Sequence, residues 1–395
     1  MERIGILGGS FNPPHIGHIR AAVNTARALG LTKVLLIPAR EVPHKEVSPF
    51  DPTPEQRLEM LKIAASGSDL LEASDLELFR EGKSYTWDTI QALRRQYPNA
   101  ELTLLLGSDM FRGFPEWKNA EDILKEAGLA AISRGDKHEE EFIRRGVSAL
   151  EARGVRVSVV HNPIVDISST QLRRLLAFGS GEAFLPEGVY DYIRENHLYD
   201  TGADWRNLPM ERLEPIVVRL LNPNRVRHVL GCRDTSVALA KRWGADETDA
   251  ARAGILHDIT KALDGPLQLT LCASYGKMLD DFSKKYPKTL HALTGSLVAE
   301  RIFGENSAVV KAIESHTTGK PAMNTLEKII YVADYMEPNR DFPGVEELRK
   351  LAYTDLDSAL RLGLEMTLDM LKQQGRQIYP ASSQALDYLN RTGGK

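Results

Sequence analysis

Short apolar runs alternate with amphipathic stretches through the first half of the chain. RIGILGG (3–9), KVLLIPA (33–39), LLEAS (70–74), ELTLLLG (101–107), GLAAIS (128–133) and RVSVV (156–160) read as strands. Unbroken apolar runs of this length, bounded by turn residues, fit strands covered on both faces. Helical periodicity covers 15–29, 55–66, 86–96, 138–152, 169–177 and 187–195, with Gly30 placed to end the first helix. Strand–helix alternation over short connections predicts an α/β doubly wound parallel sheet. Ligands of such sheets sit at the carboxyl ends of strands, where the strand order reverses.

Beyond residue 200 the period changes. The domains read as 1–200, a linker at 201–212 and a second domain at 213–395. Helical patterning recurs at 212–221, 223–231, 234–243, 246–257, 266–274, 291–303, 308–315, 325–335, 345–351 and 353–373, with almost no strand-like alternation. An all-α domain is therefore expected. The tail SSQALDYLNRTGGK reads as ending in a polar, Gly-containing fray.

Charge and cysteine content narrow the class. The chain carries 50 Lys and Arg against 54 Asp and Glu, a net charge of −4. That balance argues against a basic nucleic-acid binder or a polybasic membrane protein. Cys232 and Cys272 form no CxxC, so a disulfide scaffold or thiolate zinc finger is not expected. No secretory leader and no long apolar span stand out, and the expectation is a cytoplasmic protein with no nucleic-acid or membrane partner. Oligomeric state is left open.

Candidate chemistry begins where the first strand ends, in Gly8-Gly9-Ser10-Phe11-Asn12-Pro13-Pro14-His15-Ile16-Gly17-His18. Paired glycines let main-chain N–H groups approach phosphate oxygens, and the next helix offers its positive end to the same place. His15 and His18, three apart, share a helix face and suit charge developing on a transferring phosphoryl group. A plain glycine turn with two surface histidines is the alternative. Far along the chain, Ile167-Ser168-Ser169-Thr170-Gln171-Leu172-Arg173 places three hydroxyls and an arginine at a helix start. Simple capping or a second anion site both fit.

These segments resemble the nucleotidylyltransferase superfamily, with its (H/T)xGH and ISSTxxR signatures, here HIGH (15–18) and ISSTQLR (167–173). GGSFNPPHIGH, PHK (43–45), SYTWDT (84–89), GSDMFRGFPEW (107–117) and SRG (133–135) narrow the resemblance to nicotinate mononucleotide adenylyltransferases. The resemblance implies a Rossmann-like sheet, with ATP and nicotinate mononucleotide as substrates and Mg²⁺ bridging the phosphates. His15, His18 and Arg173 would hold the ATP phosphates. Thr86 and Trp117 would meet the mononucleotide base region, Asp109 a nucleotide, and Arg134 the ATP side. Gly8, Gly9, Ser10, Phe11, Lys45, Gly107, Ile167, Ser168, Ser169 and Thr170 complete the expected substrate contacts.

In the second half, His228, His257, His291 and His316 fall in or beside helices, and Asp258 follows His257 within an apolar run. Asp334 lies near the end of another apolar helix. Buried charge is costly without a partner, and a metal cation would be one; satisfied core histidines with one buried salt bridge are the alternative. The pattern resembles the HD phosphohydrolases (H…HD…D), closest to the YqeK subfamily, through RVRHVLGC (225–232), LHDITK (256–261), LHALTG (290–295), IESHTTGK (313–320) and YVADYMEPNRDFPG (331–344). That resemblance implies metal-dependent symmetrical hydrolysis of diadenosine tetraphosphate, a dinucleoside polyphosphate, to ADP. His228, His257, Asp258 and Asp334 would hold one metal, and His291, His316 and Asp258 a second. Bridging water would attack, acidified by the ions. Lys261, Thr317, Thr318 and Arg340 are candidate phosphate contacts, and iron, manganese and zinc all suit the donors. Two other expectations compete: the same folds acting on other phosphate acceptors and nucleotides, and a second half that senses nucleotides without turnover.

Overall fold

The computed structural model describes residues 1–41, 50–80, 82–133, 137–163 and 165–392. Among these the chain forms two compact units, Met1–Gly202 and Ala203–Lys395.

The first unit holds β1 (Arg3–Gly9), β2 (Lys33–Pro38), β3 (Leu71–Ala73), β4 (Glu101–Gly107), β5 (Gly128–Ser133) and β6 (Val157–His161). They form one parallel sheet in the order β3-β2-β1-β4-β5-β6. The helices are α1 (Ile16–Leu29), α2 (Pro54–Ala65), α3 (Thr86–Gln96), α4 (Ser108–Gly113), α5 (Ala120–Glu126), α6 (Lys137–Glu151), α7 (Ser169–Ala177) and α8 (Val189–Glu195). The doubly wound α/β expectation stands.

Side chains alternate across the sheet, which explains the unbroken apolar runs. Ile4, Ile6, Leu35, Leu104 and Leu106 face one core with Ile90, Leu93 and Ile123. Val34, Leu36 and Leu105 face the other with Ala22, Ala26 and Leu61. Gly5 lies on the second face, where a Cβ would come within 2.8 Å of Leu31 and 2.9 Å of Val34. The missing side chain lets the chain after α1 pack against β1.

The second unit is helical: α9 (Met210–Leu220), α10 (Val226–Trp243), α11 (Glu247–Leu256), α12 (Gly265–Ser274), α13 (Asp281–Lys285), α14 (Leu290–Arg301), α15 (Ser307–Ser315), α16 (Thr325–Met336), α17 (Val345–Thr354), α18 (Leu356–Gln373) and α19 (Pro380–Thr392). Two expectations need correction. The segments 223–231 and 234–243 are one helix, α10, which runs on through Gly231. The expected helices stop at 373, but Pro380–Thr392 forms α19, with Ser382, Ala385 and Leu389 buried; the Gly-containing end of the tail lies outside the described residues. Among the described residues no helix is long and apolar enough to cross a membrane.

Candidate functional site

β1 and β4 are neighbours at the centre of the sheet, and the strand order reverses between them. Gly9 ends β1 and Gly107 ends β4, so two glycines open the sheet at the position where such folds bind ligands. A Cβ at Gly8 or Gly107 would meet nothing within 4 Å, which leaves the strand ends open to a ligand. Phe11 takes a left-handed φ of 43° and is 1% exposed, so its ring anchors the loop while the backbone turns.

His15 is the N-cap of α1. Its backbone N–H donates to His18 Nδ1 at 3.2 Å, and the two rings lie 3.6 Å apart between centroids. The ring of Phe11 meets His18 edge-on at 5.1 Å. Gly17 fits because a Cβ there would sit 2.9 Å from His15 Nδ1.

The distant ISST segment arrives at the same loop. Ser168 caps α7, accepting the Gln171 N–H. Ser169 Oγ donates to the Pro13 carbonyl at 3.2 Å. Arg173 donates to the Asn12 carbonyl at 2.7 Å and lies 3.3 Å from Thr170 Oγ1. The first turns of α1 and α7 carry no acidic residue, so no carboxylate of their own neutralises these positive helix ends. Ile167 is buried beneath, and Ser10 lends its carbonyl to Arg57.

Arg57 was not among the residues the sequence singled out. It is 7% exposed and donates to the carbonyls of Ser10 and Ala39 at 2.8 Å each, and of Arg40 at 3.1 Å. Burial lowers its pKa. A lone arginine in an amphipathic helix gives no sequence signal for that role.

Thr86 begins α3, and Trp117 stacks obliquely on Phe114 at 5.5 Å. Lys118 Nζ sits 4.5 Å over the Tyr85 ring, which joins the YTWDT and FPEW segments. Asp109 is exposed in the first turn of α4. Lys45 and Arg134 lie outside the described residues.

In the second unit, six expected ligands converge from helix ends. His228 lies in the first turn of α10 and His291 in that of α14, while His257 and His316 are the C-caps of α11 and α15. Asp258 therefore follows a helix end instead of lying inside the helix. Asp334 sits in the last turn of α16. His257 and Asp258 are 0% exposed, and His316 1%.

Asp258 divides the cluster in two. Its Oδ2 lies 3.7 Å from His228 Nε2 and 3.5 Å from His257 Nε2. His228 Nε2 is in turn 3.3 Å from His257 Nε2 and 3.1 Å from Asp334 Oδ1. Its Oδ1 faces the other way, 3.6 Å from both His291 Nε2 and His316 Nε2. That oxygen is buried and accepts no hydrogen bond. An orphan carboxylate oxygen between two imidazole nitrogens fits a cation. Two groups of three, His228–His257–Asp334 and His257–Asp258–His316, have ligand atoms all within 4.8 Å of one another. His291 is outside both groups: its Nε2 lies 2.8 Å from Lys261 Nζ and 2.8 Å from Thr317 Oγ1.

Three of the histidines are oriented by their own helices. The Nδ1 atoms of His257 and His316 lie 2.7 Å from the carbonyls of Gly254 and Ile313, and that of His291 lies 3.1 Å from Lys288 O. A carbonyl only accepts, so each Nδ1 carries a proton and each Nε2 is the ring atom turned to the cluster. Burial, with Lys261 close by, holds His291 well below the usual histidine value and therefore neutral.

The carboxylates behave oppositely. Burial alone pushes Asp258 up, but His257, His316 and Lys261 outweigh it and hold it well below the usual range. Asp334 is held low in the same way, against burial, by His228, His257 and Arg340. Arg340 donates to Asp334 Oδ1 at 2.6 Å and to its carbonyl at 2.8 Å. Thr317 Oγ1 is 3.0 Å from His316 Nε2, whereas Thr318 donates to the Gly319 carbonyl. Sequence reasoning missed two neighbours: Arg225, whose Nε donates to Asp258 Oδ2 at 2.6 Å, and Glu337, whose Oε1 lies 3.1 Å from His228 Nδ1.

Comparison with known proteins follows the same division. Residues 6–175 match the cytidylyltransferase-like family model and residues 225–339 the HD domain model. A Listeria innocua protein named "Probable nicotinate-nucleotide adenylyltransferase" is 35% identical over 200 residues, covering 50% of this chain and 97% of its own. A Mycoplasma pneumoniae protein named "Probable nicotinate-nucleotide adenylyltransferase/Ap4A hydrolase" is 28% identical over 378 residues, covering 93% of this chain and 99% of its own. A solved structure from Clostridium acetobutylicum, described as a "predicted HD superfamily hydrolase involved in NAD metabolism", is 37% identical and covers 47% of this chain and 98% of its own, with a TM-score of 0.46.

Proposed function

The chain belongs to the nicotinate-nucleotide adenylyltransferase family and carries an HD domain in its second half, and from that premise we propose that it is a bifunctional enzyme with two specific reactions. The first unit transfers the adenylyl group of ATP to nicotinate mononucleotide, giving nicotinate adenine dinucleotide and pyrophosphate. The second hydrolyses diadenosine tetraphosphate symmetrically to ADP. The observation that supports the reading is that each unit gathers candidate groups for its own reaction: Arg173 is brought onto the Asn12 loop in one, and in the other Asp258 turns one oxygen toward His228 and His257 and the other toward His291 and His316.

In the transferase, the 5′-phosphate of the mononucleotide attacks the α-phosphorus of ATP in line, and pyrophosphate leaves. No covalent enzyme intermediate is needed. Main-chain N–H groups at Gly8–Ser10 and the ends of α1 and α7 receive the phosphates. His15, His18 and Arg173 neutralise charge as the bond to the leaving group lengthens. Arg57 holds the loop from beneath. Bound Mg²⁺ would add positive charge to offset that of the phosphates.

In the hydrolase, a divalent pair would supply an acidified water and screen the polyphosphate. The chain's own residues would hold and orient that pair: His228, His257 and Asp334 at one position, His316 with His291 at the other, and Asp258 at both. Lys261, Thr317 and Arg340 border the cluster and meet the phosphates.

Parallel assays on one preparation test the reading. Asp258→Ala is expected to abolish diadenosine tetraphosphate cleavage and to retain adenylyl transfer. His18→Ala is expected to lower transfer by about 10²–10³-fold, the scale for one preorganised donor. Loss of both reactions in a folded Asp258→Ala chain would refute independent sites.

A further inference from the structure

His228 differs from the other three histidines in how its ring is held. His257, His291 and His316 turn Nδ1 to a carbonyl three residues back in their own helices. His228 turns Nδ1 instead to a carboxylate 109 residues away, Glu337 Oε1, at 3.1 Å. We propose that Glu337 is the positioning residue of this metal centre: it keeps the proton of His228 on Nδ1 and so presents Nε2 to the cation. The inference rests on the metal reading of the cluster.

The surroundings of Glu337 fix it for that task. It is 1% exposed and directly follows α16, the helix that carries Asp334. Its second oxygen, Oε2, accepts the backbone N–H and the side-chain Nδ2 of Asn339, each at 2.8 Å. Asn339 Nδ2 also donates to the Arg227 carbonyl at 3.1 Å, next to His228. Arg349 of α17 donates to the carbonyls of Met336, Glu337 and Arg340, clamping the turn from behind. Glycine at 231 leaves room for the carboxylate, since a Cβ there would collide with Glu337 Oε2.

The donor arrangement makes charge at Glu337 essential. Oε2 faces two N–H donors, so an oxygen must stay there. In Glu337→Gln the amide oxygen takes that place and the NH₂ faces His228 Nδ1. An NH₂ only donates. Nδ1 must then accept, the proton moves to Nε2, and the ligand atom is blocked. Glu337→Ala lacks the wrong donor but leaves the ring unheld.

The test uses the full chain, stripped of metal and titrated with zinc by calorimetry. Glu337→Gln is expected to weaken zinc binding at the affected site by about 10–100-fold, the range for losing a group that orients a metal-bound histidine. Glu337→Ala is expected to fall between it and the parent, with metal-free melting curves as the folding control. Nitrogen-15 histidine spectra of the metal-free parent chain, with the His228 signal identified by its loss in His228→Gln, are expected to show Nδ1 protonated. An unprotonated Nδ1 in the parent overturns the proposal even if no Glu337 variant folds. Zinc binding indifferent to Glu337 overturns it while leaving the metal reading intact. A parent chain that takes up neither zinc, manganese nor iron overturns both.

Discussion

At position 17 one methyl group separates a working loop from a displaced one. A Cβ there would press on His15 Nδ1 at 2.9 Å. Gly17 is helical with no positive φ, so alanine favours the helix by about 0.5–1 kcal/mol. Gly17→Ala is therefore expected to melt no lower than the parent while transferring adenylyl groups about 10–100-fold more slowly, the scale for misplacing reacting groups. Melting curves beside steady-state rates check this, and unchanged turnover would detach His15 from the chemistry. Cys272 makes a different point. Burial pushes its thiol from 9.0 up to about 11. The folded state keeps a proton that the unfolded chain releases, so this group's contribution to stability falls as pH rises from about 9 to about 11. Urea melts across that range should show the parent losing stability relative to Cys272→Ala. Iodoacetamide at pH 8 should label the thiol only after unfolding.

Among the elements, one helix start was named in the sequence by its cap, in the ISST segment, and other helix starts carry the same kind of local signal. Thr53, Ser168, Asp246, Asp264, Asp280, Asn306, Asn324 and Asp355 each cap a helix with a side-chain acceptor. Such residues mark the chain locally. The reading failed where a distant partner decides. α10 continues through Gly231 because a glycine in a helix is tolerated when something else needs its space, here Glu337. α19 forms because its apolar face has somewhere to be buried. Buried ion pairs that tie elements together are equally silent in sequence. Arg252 of α11 donates to both carboxylate oxygens of Glu305 at 2.6 Å and to the Leu208 carbonyl at 2.7 Å. Arg252→Met leaves a buried carboxylate without its partner and is expected to cost about 3–5 kcal/mol by urea denaturation. Parental stability would show that the pair contributes little.

The molecule as a whole divides into two units, each with its own core and its own chemistry. A separately produced 203–395 chain is expected to fold, hold divalent metal and cleave diadenosine tetraphosphate. Metal quantification and product analysis check this, and an unfolded or metal-free fragment would count against it. Local order in the sequence was enough for the alternating elements of the sheet, because apolar periodicity is set by neighbours along the chain. The same holds for the Gly-Gly loop, the capped ISST helix and the six metal-site side chains, whose residue types and short motifs are visible without coordinates. What only folding decided was which atoms face each other. Asp258 turns one oxygen toward His257 and the other toward His316, Arg57 lies under the Gly-Gly loop, and Glu337 backs His228 across 109 positions. No periodicity or spacing encodes such pairings, since they arise where separate elements pack and each buried polar atom must find a partner.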